Sequence, residues 1–217
     1  MTDLLTGLLV ESRQLGFLGP GPVESHHHHA LAFASAVDEP PARALDLGAG
    51  GGLPGLVLAA AIWPETTWTF LDAHLRRTAF LREAVETLGL EDRVEVVTAR
   101  AEETGREIAH RERYDLVVAR SFGAPAVTAE CAAPLLRTGG LLVVSEPPTT
   151  GPDGVGVASL ASRWPTAGVA KVGFGPADLV VAGDDQAPVH LARLRRERPV
   201  AERYPRRVGI PGKRPLF

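Results

Sequence analysis

The sequence predicts an α/β protein with a mostly parallel central sheet, covered by helices on both faces and preceded by short N-terminal helices. Three observations predict it. Short, continuously apolar segments recur along the chain, as strands buried on both faces require. Helical patterns separate them, the alternation that supplies crossovers between parallel strands. A glycine-rich turn joins the first such strand to the first crossover helix.

In chain order, Thr2–Gln14 places Leu4, Leu5, Leu8 and Leu9 on one helical side, with Gly16 as its stop. Gly19-Pro20-Gly21-Pro22 is a stiff connector, and a second helix is expected from His26 to Ala36 with Ser25 as its N-cap. Strands are expected at Ala42–Leu47, Thr67–Asp72, Val94–Thr98, Tyr114–Ala119 and Leu141–Ser145. Helices fall between them at Pro54–Ile62, Leu75–Leu88 with Gly89 as its stop, Glu102–His110 and Val127–Leu136. Thr149–Gly156 reads as loop, and Val169–Phe174 with Val189–Leu194 as an antiparallel edge pair. This divides the chain into an N-terminal helical segment (1–40), a central α/β domain (41–195) and a basic tail (196–217).

Hydrophobic residues at 45% and charged residues at 23% are ordinary globular values, and no apolar run is long enough to span a membrane. Met1–Gly16 lacks the basic-then-apolar layout of a secretory leader, and a single cysteine fits a reducing compartment. A soluble, cytoplasmic monomer is the expectation. The net charge of −3 hides an asymmetry: Arg193–Arg214 carries nine Lys/Arg against Glu197 and Glu202, which is +7 and leaves −10 elsewhere. A basic tail on an acidic body is an electrostatic footprint for phosphate, or else a solvated segment packed across the surface.

The chemistry concentrates at Ala44-Leu45-Asp46-Leu47-Gly48-Ala49-Gly50-Gly51-Gly52-Leu53-Pro54-Gly55, followed by Leu71-Asp72. Glycine permits both the turn angles and close approach of a ligand to the backbone. Pro54 suits the start of a helix, where an N–H has no partner. A carboxylate closing the next strand is placed to accept hydrogen bonds from a ribose. An adenosine-containing ligand follows. Gly48-x-Gly50-x-x-Leu53 lacks the third glycine of a dinucleotide fingerprint. Asp46 two residues before Gly48 instead resembles the D/E-x-G-x-G turn of class I methyltransferases, which bind S-adenosylmethionine on a Rossmann-like fold.

A longer succession is more specific. It comprises Asp46–Gly55, then Leu71-Asp72 with Arg76-Arg77-x-x-Phe80-Leu81-Arg82, then Ala99-Arg100-Ala101-Glu102-Glu103, then Tyr114-Asp115 with Ala119-Arg120-Ser121-Phe122. It ends in Arg203-Tyr204-Pro205-Arg206-Arg207-x-Gly209-x-Pro211-x-Lys213-Arg214-Pro215-Leu216. Taken together it resembles the RsmG/GidB family of methyltransferases, which act on N7 of a guanine in 16S ribosomal RNA. The resemblance implies an S-adenosylmethionine-binding domain over 41–195 and 16S ribosomal RNA or the small ribosomal subunit as partner. It implies cofactor contacts at Gly48, Gly50 and Leu53 in the turn, Asp72, Ala101 and Glu102, and Arg120. In that assignment Asp72 takes the ribose hydroxyls and small Ala101 lets adenine lie against the backbone. Glu102 offers an N–H and an acceptor to the adenine edge, and Arg120 binds the methionine carboxylate or a nucleotide phosphate.

The sequence also departs from the family. Ser25-His26…His29-Ala30 keeps only the histidine of an Arg-His…Asp-Ser element, the upstream Asn-Leu-Thr segment is not recognisable, and Glu146-Pro147 stands where the family carries Lys-Gly. An unpaired anion about 4 Å from a phosphate costs about 4 kcal/mol at an effective dielectric of 20. Glu146 is therefore expected either to sit where it does not repel an incoming phosphate or to pair with a nearby cation such as Arg120. Of the run His26–His29, only His26 and His29 share a helical face, too few ligands for zinc, so no metal is expected. His26 remains a candidate for the substrate cleft and Phe122 for stacking on a flipped-out base. Cys131, Trp63, Trp68 and Trp164 read as packing residues. Guanine N7 has a free lone pair, so its methylation needs no general base and no catalytic acid or base is named. A small-metabolite methyltransferase and a non-catalytic RNA-binding protein of the same fold are the alternatives.

Overall fold

Alternating strands and helices condense into one seven-stranded sheet in a computed structural model that describes residues 3–147, 159–183 and 187–217. Five strands run parallel: β1 (Arg43–Leu47), β2 (Thr67–Asp72), β3 (Val94–Thr98), β4 (Tyr114–Ala119) and β5 (Leu136–Glu146). β6 (Asp178–Ala182) and β7 (Val189–Arg195) complete it antiparallel, in the order β3-β2-β1-β4-β5-β7-β6. The order reverses direction between β1 and β4, and open sheets of this kind bind ligands beyond the carboxyl ends of their strands at such a point.

Strand alternation sorts the core into two layers. On one face Ala44, Phe70, Leu116, Val118, Val143 and Leu191 pack against α1 (Asp3–Gln14), α2 (Val23–Ala32), α3 (Gly55–Ala61) and α4 (Leu75–Thr87). On the other, Leu45, Leu47, Leu71, Val117, Leu142, Ala192 and Leu194 meet α6 (Pro125–Ala132), Trp164, Phe174 and Tyr204. This is the expected α/β, Rossmann-like architecture, with a mostly parallel sheet and helices on both faces.

Several boundaries move for physical reasons. The second helix starts at Val23 with Pro22 as its N-cap, not Ser25, because Pro22 is already extended (ψ 144°) and needs no N–H; it ends at Ala32 and tightens into a 3₁₀ turn over Phe33–Ala36. The helix expected over Glu102–His110 is only α5 (Ala101–Thr104). The Gly105 carbonyl accepts from the Arg111 guanidinium at 3.0 Å instead of continuing the helical ladder. The helix expected over Val127–Leu136 stops at Ala132, and Leu136 already pairs with Tyr114 as the start of β5. Val169–Phe174 is not a strand. It forms α8 (Thr166–Val169) and a 3₁₀ turn, because Val169 and Val172 bury at a spacing of three rather than two, and Gly173 (φ 85°) ends the turn. The antiparallel edge is β6 with β7 instead. Thr149–Gly156, read as loop, lies outside the described residues. Two short helices, α7 (Leu160–Arg163) and α9 (Ile210–Lys213), had no clear pattern in the sequence.

Candidate functional site

The turn after β1 is anchored on both sides. The N–H groups of Gly48 and Ala49 both donate to the Leu71 carbonyl of β2, at 2.8 and 3.0 Å. Gly48 has φ 74°, and a Cβ there would lie 2.6 Å from the Phe122 ring. Gly51 is where α1 docks: Ser12 Oγ donates to its carbonyl at 2.9 Å, and a Cβ would lie 2.3 Å from that oxygen. Two carboxylates brace the loop. Asp46 Oδ2 accepts from Gly55 N at 2.7 Å, while its Oδ1 has no hydrogen-bond partner among the described residues. Burial pushes the Asp46 carboxyl up to about 7 against the Gly55 hydrogen bond, with Asp72 adding to the rise and Arg120 opposing it. Asp72 Oδ2 accepts from Gly50 N at 3.0 Å and Oδ1 from His74 N at 2.8 Å, with the Arg77 guanidinium 3.7 Å away.

Of the seven residues singled out in the sequence, Gly48, Asp72, Ala101 and Glu102 line one cavity of about 290 Å³ at the carboxyl ends of β1–β4. Phe122, Val127 and Cys131 give it an apolar side, and Gly209 and Gly212 reach it from the tail. Gly50, Leu53 and Arg120 line an adjoining cavity of about 200 Å³ with Phe17 and Leu18, and the two cavities share Gly48, Arg77 and Ser121. Arg120 Nη2 donates to His26 Nδ1 at 2.8 Å, and His26 Nε2 lies 3.0 Å from the Gly19 carbonyl. A ring accepting at Nδ1 must carry its proton at Nε2, so His26 bridges Gly19 to the guanidinium and fixes it. Arg120 Nη1 is buried with no hydrogen-bond partner among the described residues. A donor left in this state is suited to an anionic ligand oxygen. The cleft thus holds a carboxylate toward one end and a donor-rich cation toward the other. That arrangement fits an adenosine carrying an amino-acid chain.

Glu146 does not pair with Arg120. Arg163 Nε and Trp164 Nε1 donate to its two oxygens, the latter at 2.9 Å, beside a cavity of about 320 Å³ that also has Phe122 in its wall. Its charge is neutralised by a residue seventeen positions downstream, which no spacing rule announces. Part of the basic tail is occupied too. Arg206 is held bidentately by the fully buried Glu130, with Nε at 2.8 Å and Nη2 at 2.6 Å, and Gly209 N donates to Glu102 Oε1 at 2.9 Å. Trp63, Trp68, Trp164 and Cys131 are buried in the core. Among the described residues no group of three or more His, Cys, Asp or Glu is arranged to hold a metal ion, and no helix is long and apolar enough to cross a membrane. Sequence reasoning missed the Glu130–Arg206 pair, and it missed Gly209 and Gly212 as lining of this cleft.

Residues 22–146 match the model of the GidB family, described as rRNA small subunit methyltransferase G. The chain belongs to that family. It is 40% identical over 196 residues to the ribosomal RNA small subunit methyltransferase G of Rubrobacter xylanophilus, covering 87% of this chain and 72% of the relative. The protein of the same name from Symbiobacterium thermophilum is 37% identical over 205 residues, covering 90% and 80%. Among solved structures, the O-methyltransferase from Bacillus cereus in complex with SAH superposes with a TM-score of 0.62 at 17% identity, over 91% of this chain and 92% of that one. The GidB match spans β1–β5 and every residue of the 290 Å³ cavity that precedes the tail, while Phe17 and Leu18 of the adjoining cavity lie just before it.

Proposed function

We propose that the chain is an S-adenosylmethionine-dependent methyltransferase that methylates N7 of a guanine in 16S ribosomal RNA. Membership of the rRNA small subunit methyltransferase G family carries the proposal. The cleft supports it: Asp72 suits the ribose hydroxyls, Ala101 and Glu102 the adenine, Arg120 the methionine carboxylate, and Gly48, Gly50 and Leu53 the backbone wall between them. Bound there, S-adenosylmethionine supplies a methyl group activated by a sulfonium.

The chain's own contribution is positional. Guanine N7 attacks with a lone pair and has no proton to lose, so no side chain need act as base. The glycine turn and Asp72 fix the donor, and Phe122, in the wall shared with the neighbouring cavity, suits stacking on the base. Alignment of this kind supplies up to about 7–11 kcal/mol of a bimolecular barrier. The Arg163 partner of Glu146 removes the free anion that would repel RNA. In this proposal residues 41–195 form the catalytic domain, and the protein works as a cytoplasmic monomer on 16S RNA or the assembled subunit.

The test is methyl transfer from labelled S-adenosylmethionine to naked 16S RNA and to assembled small subunits, with nucleoside mass spectrometry of 16S RNA from a deletion strain. The expected result is one 7-methylguanosine that disappears on deletion. Unmodified RNA in both forms, together with methylation of a small metabolite, would replace the ribosomal substrate and keep the cofactor.

A further inference from the structure

The C-terminal segment has charge that suggests RNA, yet its inner side is built into the cleft. It crosses the body under a series of restraints. Arg111 donates to the Tyr204 carbonyl at 2.8 Å, and Tyr204 is buried. Arg206 donates to Glu130 from its backbone N–H, Nε and Nη2, and Nη2 also donates to the Arg214 carbonyl at 2.7 Å. Glu130 is wholly buried on α6, the helix whose Val127 and Cys131 face the 290 Å³ cavity. Three residues past Arg206, Gly209 N meets Glu102, and Gly209 and Gly212 then form part of the cavity wall.

The glycines have different causes. Gly209 needs φ 77°, which only glycine adopts readily. Gly212 has no such angle, and a Cβ built on it meets no atom within 4 Å. Protein packing does not require a glycine at 212.

We propose that the segment from Arg206 to Lys213 is the adenine-side wall of the cofactor cleft. The Arg206–Glu130 pair is its positioning clamp, Glu102 joins wall to floor through Gly209, and Gly212 leaves space for the ligand. This rests on the cleft being the S-adenosylmethionine site. Arg206 is a positioning residue: it sets where the wall stands and touches no reacting atom. The outward cations of the tail remain free to meet RNA.

The experiment is calorimetry with S-adenosylhomocysteine on the full chain, for the parent, Arg206→Met, Arg206→Lys and Gly212→Val, together with steady-state methylation of 16S RNA. Arg206→Met is expected to weaken binding roughly tenfold or more, equivalent to about 1.4 kcal/mol per factor of ten. Its KM for the donor rises while kcat at saturating donor stays close to the parent's. Arg206→Lys, keeping charge without the fork, falls between. Gly212→Val leaves the clamp intact and serves if the Arg206 variants fold poorly; it too is expected to weaken binding, with an unchanged melting temperature. Parent-like donor affinity in both Arg206→Met and Gly212→Val overturns the proposal, and so does loss of RNA affinity alone. A parent that binds no S-adenosylhomocysteine overturns the cofactor assignment itself, and this inference with it.

Discussion

At Gly48 two requirements coincide: a left-handed backbone (φ 74°) and the Phe122 ring where a side chain would stand. Gly48→Ala is therefore expected to cost about 1–2 kcal/mol from backbone strain alone, a melting temperature lower by several degrees. Displacing Phe122 should also weaken donor binding, which calorimetry reads separately. Asp72→Ala removes the acceptor proposed for the ribose as well as the brace on Gly50 and His74. A hydrogen bond to a charged group is worth about 1.5–3 kcal/mol, so donor affinity should fall roughly ten- to a hundredfold. Unchanged affinity would remove Asp72 from the site. Two groups, one buried and one half-buried, give stability opposing pH slopes. Asp46 is raised by burial to about 7, so between about pH 4 and 7 the folded state keeps a proton that the unfolded chain has lost, and stability falls as pH rises. His29 is lowered to about 4 by burial, then by Arg120 and its histidine neighbours, so between about pH 4 and 6.5 the unfolded chain holds the extra proton and stability rises with pH. Each slope is at most about 1.4 kcal/mol per pH unit. Denaturant titrations of Asp46→Asn should show only the rising slope, and those of His29→Gln only the falling one. A parent-like profile in either variant would contradict the assignment.

At the level of elements, β2, β3 and β4 were legible to the residue because each is a short run rich in β-branched and aromatic residues bounded by turn or charged residues, a wholly local signal. Val169–Phe174 misled because a short apolar segment with β-branched residues looks alike in a strand and in a helical turn buried at a spacing of three. β5 is the element on which a functional expectation turned. Its last residue, Glu146, has a side chain only 4% exposed and binds α7 through Arg163 and the following Trp164. Placing the family's lysine there would set one cation against another where the side chain is almost wholly buried. Removing one partner of a buried pair costs about 3–5 kcal/mol, so Glu146→Lys should lose about that much in urea unfolding. Glu146→Gln, which still accepts from Trp164, should lose clearly less. Equal stability of Glu146→Lys and parent would mean that the pair does not hold α7 to the sheet.

Across the whole molecule, the +7 tail is two-sided. Arg206 is taken by Glu130 and Arg196 is buried against Glu112, whereas Arg207, Lys213 and Arg214 are exposed. If these three meet RNA phosphates, replacing all of them with Gln should flatten the salt dependence of RNA affinity by roughly 2–3 logarithmic units per decade, at about 0.7–0.9 for each phosphate. Filter binding at several salt concentrations reads this, and an unchanged slope assigns RNA contact elsewhere. The sequence by itself determined the α/β class, the parallel strands, the glycine turn and the acid at the end of β2. These are written in neighbouring residues, through periodicity, turn chemistry and the order of motifs. Only the tertiary structure decided which partner each charged group meets: Arg120 with His26, Glu146 with Arg163, Glu130 with Arg206, Glu102 with the Gly209 N–H. Three of these partners lie 76 to 107 residues apart, and the fourth 17. A buried charge must find an opposite charge or a hydrogen bond, but its type and spacing carry no address. The address is set when the sheet order brings particular loops together at one edge.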